Sequence, residues 1–481
     1  MRASLSRPEL QSLPWGGGPE AYHLAIGGER NPFCLASGGE GRFSYLGHNP
    51  HVMVRMFPDR LEATWGNKTE VFHENPFSWL PSFSPLKQGP SAFLASGWVG
   101  FLGYEMAPFA DPSFPKRDLP RDILIGAFGL YDPILVFDHS KNQAWVASWG
   151  ITDDLGLDKK LAKERIKDVI RIPFEERGKN PPRALGGSPS TLRQDSEQAL
   201  LGAGFAVAQD DRVIKSNLTQ TKYESAVQRI LEYIRAGDCY QVNMTQQFLF
   251  GWDRDWEKIP YFWEKARAHP SDFAAFLDFD SLQILSFSPE ELLKIQGKQI
   301  ETCPIKGTRG RSKGPFEDRA IIEELRQAPK DASELLMIVD LERNDLGKVC
   351  RPGSVTVPRL KEVKTLDYVH HLRATVQGEL REGVSTMEAL RALFPGGSIT
   401  GAPKRRAMEI IQELEPDPRG PYTGAIGFMD FSGLSLFNLA IRTLEVREGV
   451  ARFGVGGGIV AESDPKAEYE ETMTKAKVFL E

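Results

Sequence analysis

Between residues 292 and 459 the chain reverses at three short turns, Gly297-Lys298, Ser432-Gly433 and Glu448-Gly449, each flanked by runs that alternate apolar and polar residues. Turns this tight join only antiparallel strands, because a parallel pair needs a crossover of a dozen residues or more. Helices are expected near 316–328, 331–346, 385–393, 403–414 and 464–479, too few and too unevenly spaced for strict βαβ alternation. A Rossmann or barrel assignment therefore has little support. A Thr221-x-x-Glu224 capping box predicts a further helix, with Tyr223, Val227, Ile230, Leu231 and Ile234 on one stripe and Gly237 as its stop. The first 170 residues alternate short apolar strands with Gly, Pro and Asp, as in RFSYLG (42–47), WVGFLGYE (98–105) and PILVFD (133–138), before a basic helix near 161–172. The expected class is α+β: large antiparallel sheets with helices packed outside.

Residues 176–191 hold almost no large apolar side chains and read as a linker. The chain divides into an N-terminal region (1–175), a linker (176–215) and a catalytic region (216–481). With 59 Lys+Arg against 65 Asp+Glu, the net charge is −6, so no global positive field recommends nucleic acid as a partner. An anionic small molecule would need local positive groups. Four cysteines (Cys34, Cys239, Cys303, Cys350), none in a CxxC pair, suit a reducing compartment and neither a disulfide framework nor a zinc site. The first fifteen residues lack the apolar run of a signal peptide, and no apolar stretch reaches the roughly 18 residues of a membrane span. The expected location is the cytoplasm, which makes the Asn217 sequon a chance match.

Four constellations could carry chemistry. Asp331 and Glu334, and Glu468 and Glu471, are carboxylate pairs at i, i+3, each on one helix face, and Lys475 extends the second face by a turn. The spacing suits a solvated face, but all-oxygen ligands without His or Cys would also suit Mg²⁺. Two glycine-rich stretches, 396–411 with Pro403 and Lys404 at a helix start, and Gly454 to Gly458, could hold an anion on free amides or be ordinary turns. Lys306, flanked by apolar strand residues, would be partly desolvated and so a nucleophile or base, with Glu290 one hairpin upstream as a general acid; an exposed edge pair is the alternative. Arg442, expected on a strand over 435–446, needs an anionic partner if buried, from a substrate carboxylate or a structural ion pair. His371 and Tyr422 are further candidates.

In order, YQVNMTQQF, SFSPE, PIKGTRG, ELLMIVDLERNDLG, VHHLRATVQG, GSITGAPKRRAMEII, GPYTGAIGFMD, AIRTLEV and GVGGGIVAESDPKAEYEET, over about residues 221–477, resemble the chorismate-utilising enzymes. More weakly, LPW, PFCLASG, RFSYLG and GFLGYE extend the resemblance into the N-terminal half. It implies an interleaved α/β sandwich with chorismate and Mg²⁺ in a cleft of the C-terminal region. It also implies Glu334 and Glu471 as metal ligands, with Asp331 and Glu468 supporting those ligands or reaching the metal through water. Tyr422, Arg442, Gly456, Gly457 and Lys475 match positions that bind substrate carboxylates. Ser398 and Thr400 lie in the matching loop, His371 matches a histidine beside the ring, and Glu290 matches the acid that protonates the departing C4 hydroxyl.

Two positions choose among family members. Gln241 stands where the water-using isochorismate and salicylate synthases have a lysine base, so ammonia is the implied nucleophile. PIKGT, with Lys306, resembles the aminodeoxychorismate synthases, in which that lysine adds at C2 before ammonia enters at C4; anthranilate synthases resemble PIAGT. The resemblance therefore implies an ammonia-using enzyme of 4-aminobenzoate and folate biosynthesis. None of the cysteines lies in the G-x-C-x-G turn of a glutaminase, so a glutamine amidotransferase subunit is the implied partner. The alternatives are anthranilate synthase component I and, from another class, a catalytically silent carboxylate-binding regulatory subunit. Where anthranilate synthases carry a tryptophan pocket built around LLES and NPSPYM, this chain has Ala36 in CLAS and His269 and Asp272 in HPSDFA, which argues against tryptophan feedback.

Overall fold

A computed structural model describes residues 7–37, 41–79, 93–152, 157–170, 206–209, 212–252, 258–366 and 369–480. Two large sheets, antiparallel at every named pairing, form its frame. The first holds thirteen strands and runs from Glu9–Leu13 at one edge through Phe33–Ala36, Phe273–Asp278, Gln283–Ser288, Thr443–Arg447, Val450–Ile459 and Gln241–Gly251 towards the opposite edge. The second holds twelve, with Ile305–Gly310 and Val369–Glu379 at one end and Lys68–Phe72 at the other. Residues 176–191 lie outside the described residues; strand Ala206–Gln209 falls inside the span 176–215, and strand Arg212–Ser216 runs one residue past its end.

Both sheets draw strands from both halves of the chain. In the first, Phe33–Ala36 pairs with Phe273–Asp278; in the second, Gly97–Leu102 pairs with Ala425–Asp430. The shared strands bury one large core between the sheets, in which Val54, Phe101 and Phe128 meet Leu293, Phe437 and Leu372. Outside the first sheet, helices Gly18–Ile26, Lys258–Ala268 and Pro465–Leu480 press Ile26, Phe262 and Phe479 onto Phe276, Phe287 and Phe453. A third cluster joins helices Gln220–Arg235 and Lys404–Leu414 over strand Gln241–Gly251 through Val227, Ile230, Ala407 and Ile411. The interleaved sandwich is therefore present.

The three expected hairpins form, with Gly297, Gly433, Glu448 and Gly449 all at positive φ. Helix ends fall within two residues of expectation. One cap differs: Thr219, in extended conformation, accepts from Lys222 N at 3.3 Å, and the helix begins at Gln220 before the 221–224 box. The larger correction concerns 435–446. This is not one strand but two, Leu434–Leu439 in the second sheet and Thr443–Arg447 in the first, with Arg442 at φ 49° in the connection. A left-handed residue breaks the extended run and turns the chain from one sheet to the other.

Candidate active site

Two neighbouring segments carry the chain between the sheets: Pro289 and Glu290 link Gln283–Ser288 to Glu291–Gln296, and residues 440–442 link Leu434–Leu439 to Thr443–Arg447. They are tied together by Leu439 N donating to Glu290 O at 3.0 Å, Ser288 Oγ to Leu439 O at 2.6 Å, and Phe287 N to Arg442 O at 2.9 Å. Chain crossings interrupt both ladders, leaving side chains such as that of Glu290 pointing into the space between elements.

Glu290 is buried, and Ser398 Oγ donates to its Oε1 at 2.6 Å. Burial pushes its carboxyl up to about 7, against the opposing pull of the Ser398 hydroxyl and of Lys306. Lys306 donates to the carbonyl of the same Ser398 at 3.2 Å. Burial lowers the proton affinity of its amine and the charge of Lys475 adds to this, although Glu334 and Glu290 pull the other way. One serine thus touches a carboxyl that holds its proton and an amine that releases its proton more readily than usual. Those are the directions in which a general acid and a nitrogen nucleophile need to be shifted.

Strand Val450–Ile459 borders this space with three consecutive glycines. A Cβ on Gly457 would stand 3.0 Å from Glu468 Oε2 and 3.8 Å from Glu471 Oε1, and one on Gly458 would stand 2.5 Å from Gln241 Nε2 and 3.6 Å from Glu334 Oε2. The room that side chains would fill goes to three carboxylates and an amide. Lys475 Nζ bonds Glu471 at 2.7 Å and Gly456 O at 2.8 Å, Ser463 Oγ donates to Glu468 at 2.6 Å, and Lys330 stands 3.7 Å from Glu468. Burial raises the Glu334 carboxyl, and Asp331 and Glu468 add repulsion against the pull of Lys306 and Lys330. Against the effect of its burial, Glu471 is held below its ordinary value, chiefly by Lys475. Among the described residues no three His, Cys, Asp or Glu side chains stand close enough to hold a metal as they are. The donor chemistry of Glu334, Glu468 and Glu471, all oxygen and with one carboxyl destabilised by its neighbours, fits a hard cation such as Mg²⁺. Asp331 is turned instead to Arg309, which donates to it at 2.9 Å.

Gln241 is fully buried, yet neither its Nε2 nor its Oε1 has a hydrogen-bond partner among the described residues. His371 is similar. Its Nδ1 lies 2.8 Å from Thr308 Oγ1, while its buried Nε2 has no partner there, and burial with the Arg442 and Lys364 charges lowers it to about 3, so the ring is neutral. Buried polar atoms left unmatched are costly, and together they mark where a polar ligand would bond. The ring of Tyr422 lies where a Cβ on Gly454 would be, 2.3 Å from its Cδ1, and burial raises its phenol. The Thr400 hydroxyl is spent locally on Gly396 O at 3.0 Å. Lys404, beside the helix start that could hold an anion or be an ordinary turn, is buried on Asp345 at 2.6 Å. Two participants escaped sequence reasoning. Lys330, four residues before Glu334 on the same helix face, was available as a signal; Thr308 gave none.

A model described as "chorismate binding enzyme" matches residues 31–481. An aminodeoxychorismate synthase component 1 from Salmonella typhimurium is 43% identical over 487 residues, covering 98% of each chain. An anthranilate synthase component 1 from Synechocystis is 36% identical over 484 residues, 96% of this chain and 92% of the relative. The crystal structure of anthranilate synthase component I from Streptococcus pneumoniae superposes with TM-score 0.72 at 28% identity, over 92% of this chain and 93% of that one. The chain belongs to the family of chorismate-binding enzymes.

Proposed function

We propose that this protein is an aminodeoxychorismate synthase component 1, which converts chorismate and ammonia to 4-amino-4-deoxychorismate and water. The observation that carries the reading is the shared contact of Glu290 and Lys306 with Ser398, one group raised and the other lowered in proton affinity. The neutral Lys306 amine adds at C2 of the ring, the double bonds shift, and the C4 hydroxyl leaves with the proton of Glu290. Ammonia then adds at C4, the double bonds shift back, and the bond to Lys306 breaks. His371 Nε2 and the Gln241 amide supply polar contacts beside the ring and the incoming ammonia. Arg442, Tyr422, Lys475, the Gly456 and Gly457 backbone and the loop of Ser398 and Thr400 bind the carboxylates. Glu334 and Glu471, with Glu468, would hold Mg²⁺, and Asp331 would act on it only through water. Bound there, the ion would supply charge neutralisation of a substrate carboxylate.

Ammonia comes from a separate glutamine amidotransferase subunit, and the site of action is the cytoplasm. Relatives named "component 1" support a second component, and among the described residues no helix is long and apolar enough to cross a membrane. The lysine separates this reading from anthranilate synthase. Lys306→Ala should abolish aminodeoxychorismate formation from ammonium salt, with the adduct mass shift on the wild-type chain absent from the variant. Full activity of that variant would sink the covalent role.

A further inference from the structure

Lys404 occupies the first position of helix Lys404–Leu414, where a cation opposes the helix dipole, and it is buried, where an ammonium costs several kcal/mol unless fully partnered. Its partners account for all three of its N–H groups. Nζ donates to Asp345 Oδ2 at 2.6 Å, to Pro395 O at 2.8 Å and to Leu393 O at 3.3 Å. Asp345 is itself buried on helix Pro329–Gly347, the helix that carries Glu334, and also accepts from Lys348 at 2.7 Å. Leu393 ends helix Thr386–Leu393. One nitrogen therefore pins three helices and gathers both ends of the segment between Pro395 and Lys404.

Ser398 lies within that segment. The later part is held independently, by Arg419 Nη1 on Ile399 O at 2.9 Å and Asn243 N on Thr400 O at 2.8 Å. The Ser398 carbonyl also accepts from Asn243 Nδ2 at 3.2 Å, and the entry, through Leu393 and Pro395, is held by Lys404. We propose that Lys404 is a positioning residue, which through Asp345 and these two carbonyls sets the place of Ser398 and so the alignment of Glu290 with Lys306. The proposal rests on the reading of Glu290 as the general acid.

The groups that bear on Glu290 are Lys306, the Ser398 hydroxyl and the Ile305 backbone, together with the charge of the buried Glu342 carboxyl, which Thr302 bonds at 3.2 Å and which Asp345 and Lys404 also influence. The Ser398 hydroxyl stabilises the ionised acid, so its withdrawal makes Glu290 hold its proton to higher pH. The test is the pH dependence of ammonia-dependent turnover in Lys404→Met, Ser398→Ala and Lys404→Arg, each compared with wild type. A misplacement of about 1 Å costs roughly 100-fold in rate. Lys404→Met should therefore lose about that in kcat with little change in KM for chorismate, and its alkaline limb should move upward as in Ser398→Ala. Lys404→Arg should recover part of the rate. An unmoved limb in Ser398→Ala overturns the general-acid reading and the proposal with it. A limb that moves in Ser398→Ala but not in a folded Lys404→Met overturns the role of Lys404 alone. If Lys404→Met does not fold, Asp345→Asn decides by the same two criteria.

Discussion

Glu290 and Lys306 show how one environment sets two opposite proton affinities. Both are buried, and burial disfavours charge on each, raising the acid and lowering the amine. Because the raised acid must carry its proton to act, activity should fall as pH rises through about 7. A profile of kcat/KM against pH checks this, and Glu290→Gln should remove the alkaline limb together with most of the rate. At this scale the sequence was readable where local pattern decides the environment: a lysine flanked by Ile305 and Gly307 on a strand, with a glutamate one hairpin away. It was not readable for Lys404, whose partners Asp345, Leu393 and Pro395 are fixed by packing, not spacing. Arg442 was misread because an apolar run continues across a point where the chain changes sheets.

Among elements, the glycine strand and the two carboxylate helices act as one unit. Glycine at 458 matters for space: a Cβ there would stand 2.5 Å from Gln241 Nε2, so Gly458→Ala must displace the buried amide. The expected outcome is a folded protein that loses most ammonia-dependent activity, checked by circular dichroism alongside turnover. Glu471 bonds Lys475 and shares the Gly457 side with Glu468. Glu471→Gln should abolish the response of activity to added Mg²⁺, and a normal Mg²⁺ titration in that variant would remove Glu471 from the metal site. Helices were legible because their stripes, caps and stop signals are local. Which sheet each strand joins was not, since a hairpin names its immediate partner and says nothing of the strand on the other side.

At the scale of the whole molecule, the expected division into an N-terminal region, a linker and a catalytic region is crossed by both sheets, which draw strands from either side of it. Ala425–Asp430 pairs with Gly97–Leu102 on one side and Leu434–Leu439 on the other, so it welds N-terminal strands to those that carry the site. A Cβ on Gly427 in that strand would come 2.0 Å from Leu436 O, so Gly427→Ala should cost about 1–3 kcal/mol through forced strand displacement. Thermal denaturation should show it as a lower Tm within one cooperative transition; two resolved transitions would mean the halves fold separately. The central claim is the identity of the product. Purified protein given chorismate, Mg²⁺ and an ammonium salt should release 4-amino-4-deoxychorismate, identified by mass and by its conversion to 4-aminobenzoate when a lyase is added. Accumulation of fluorescent anthranilate, or no consumption of chorismate at all, would contradict it.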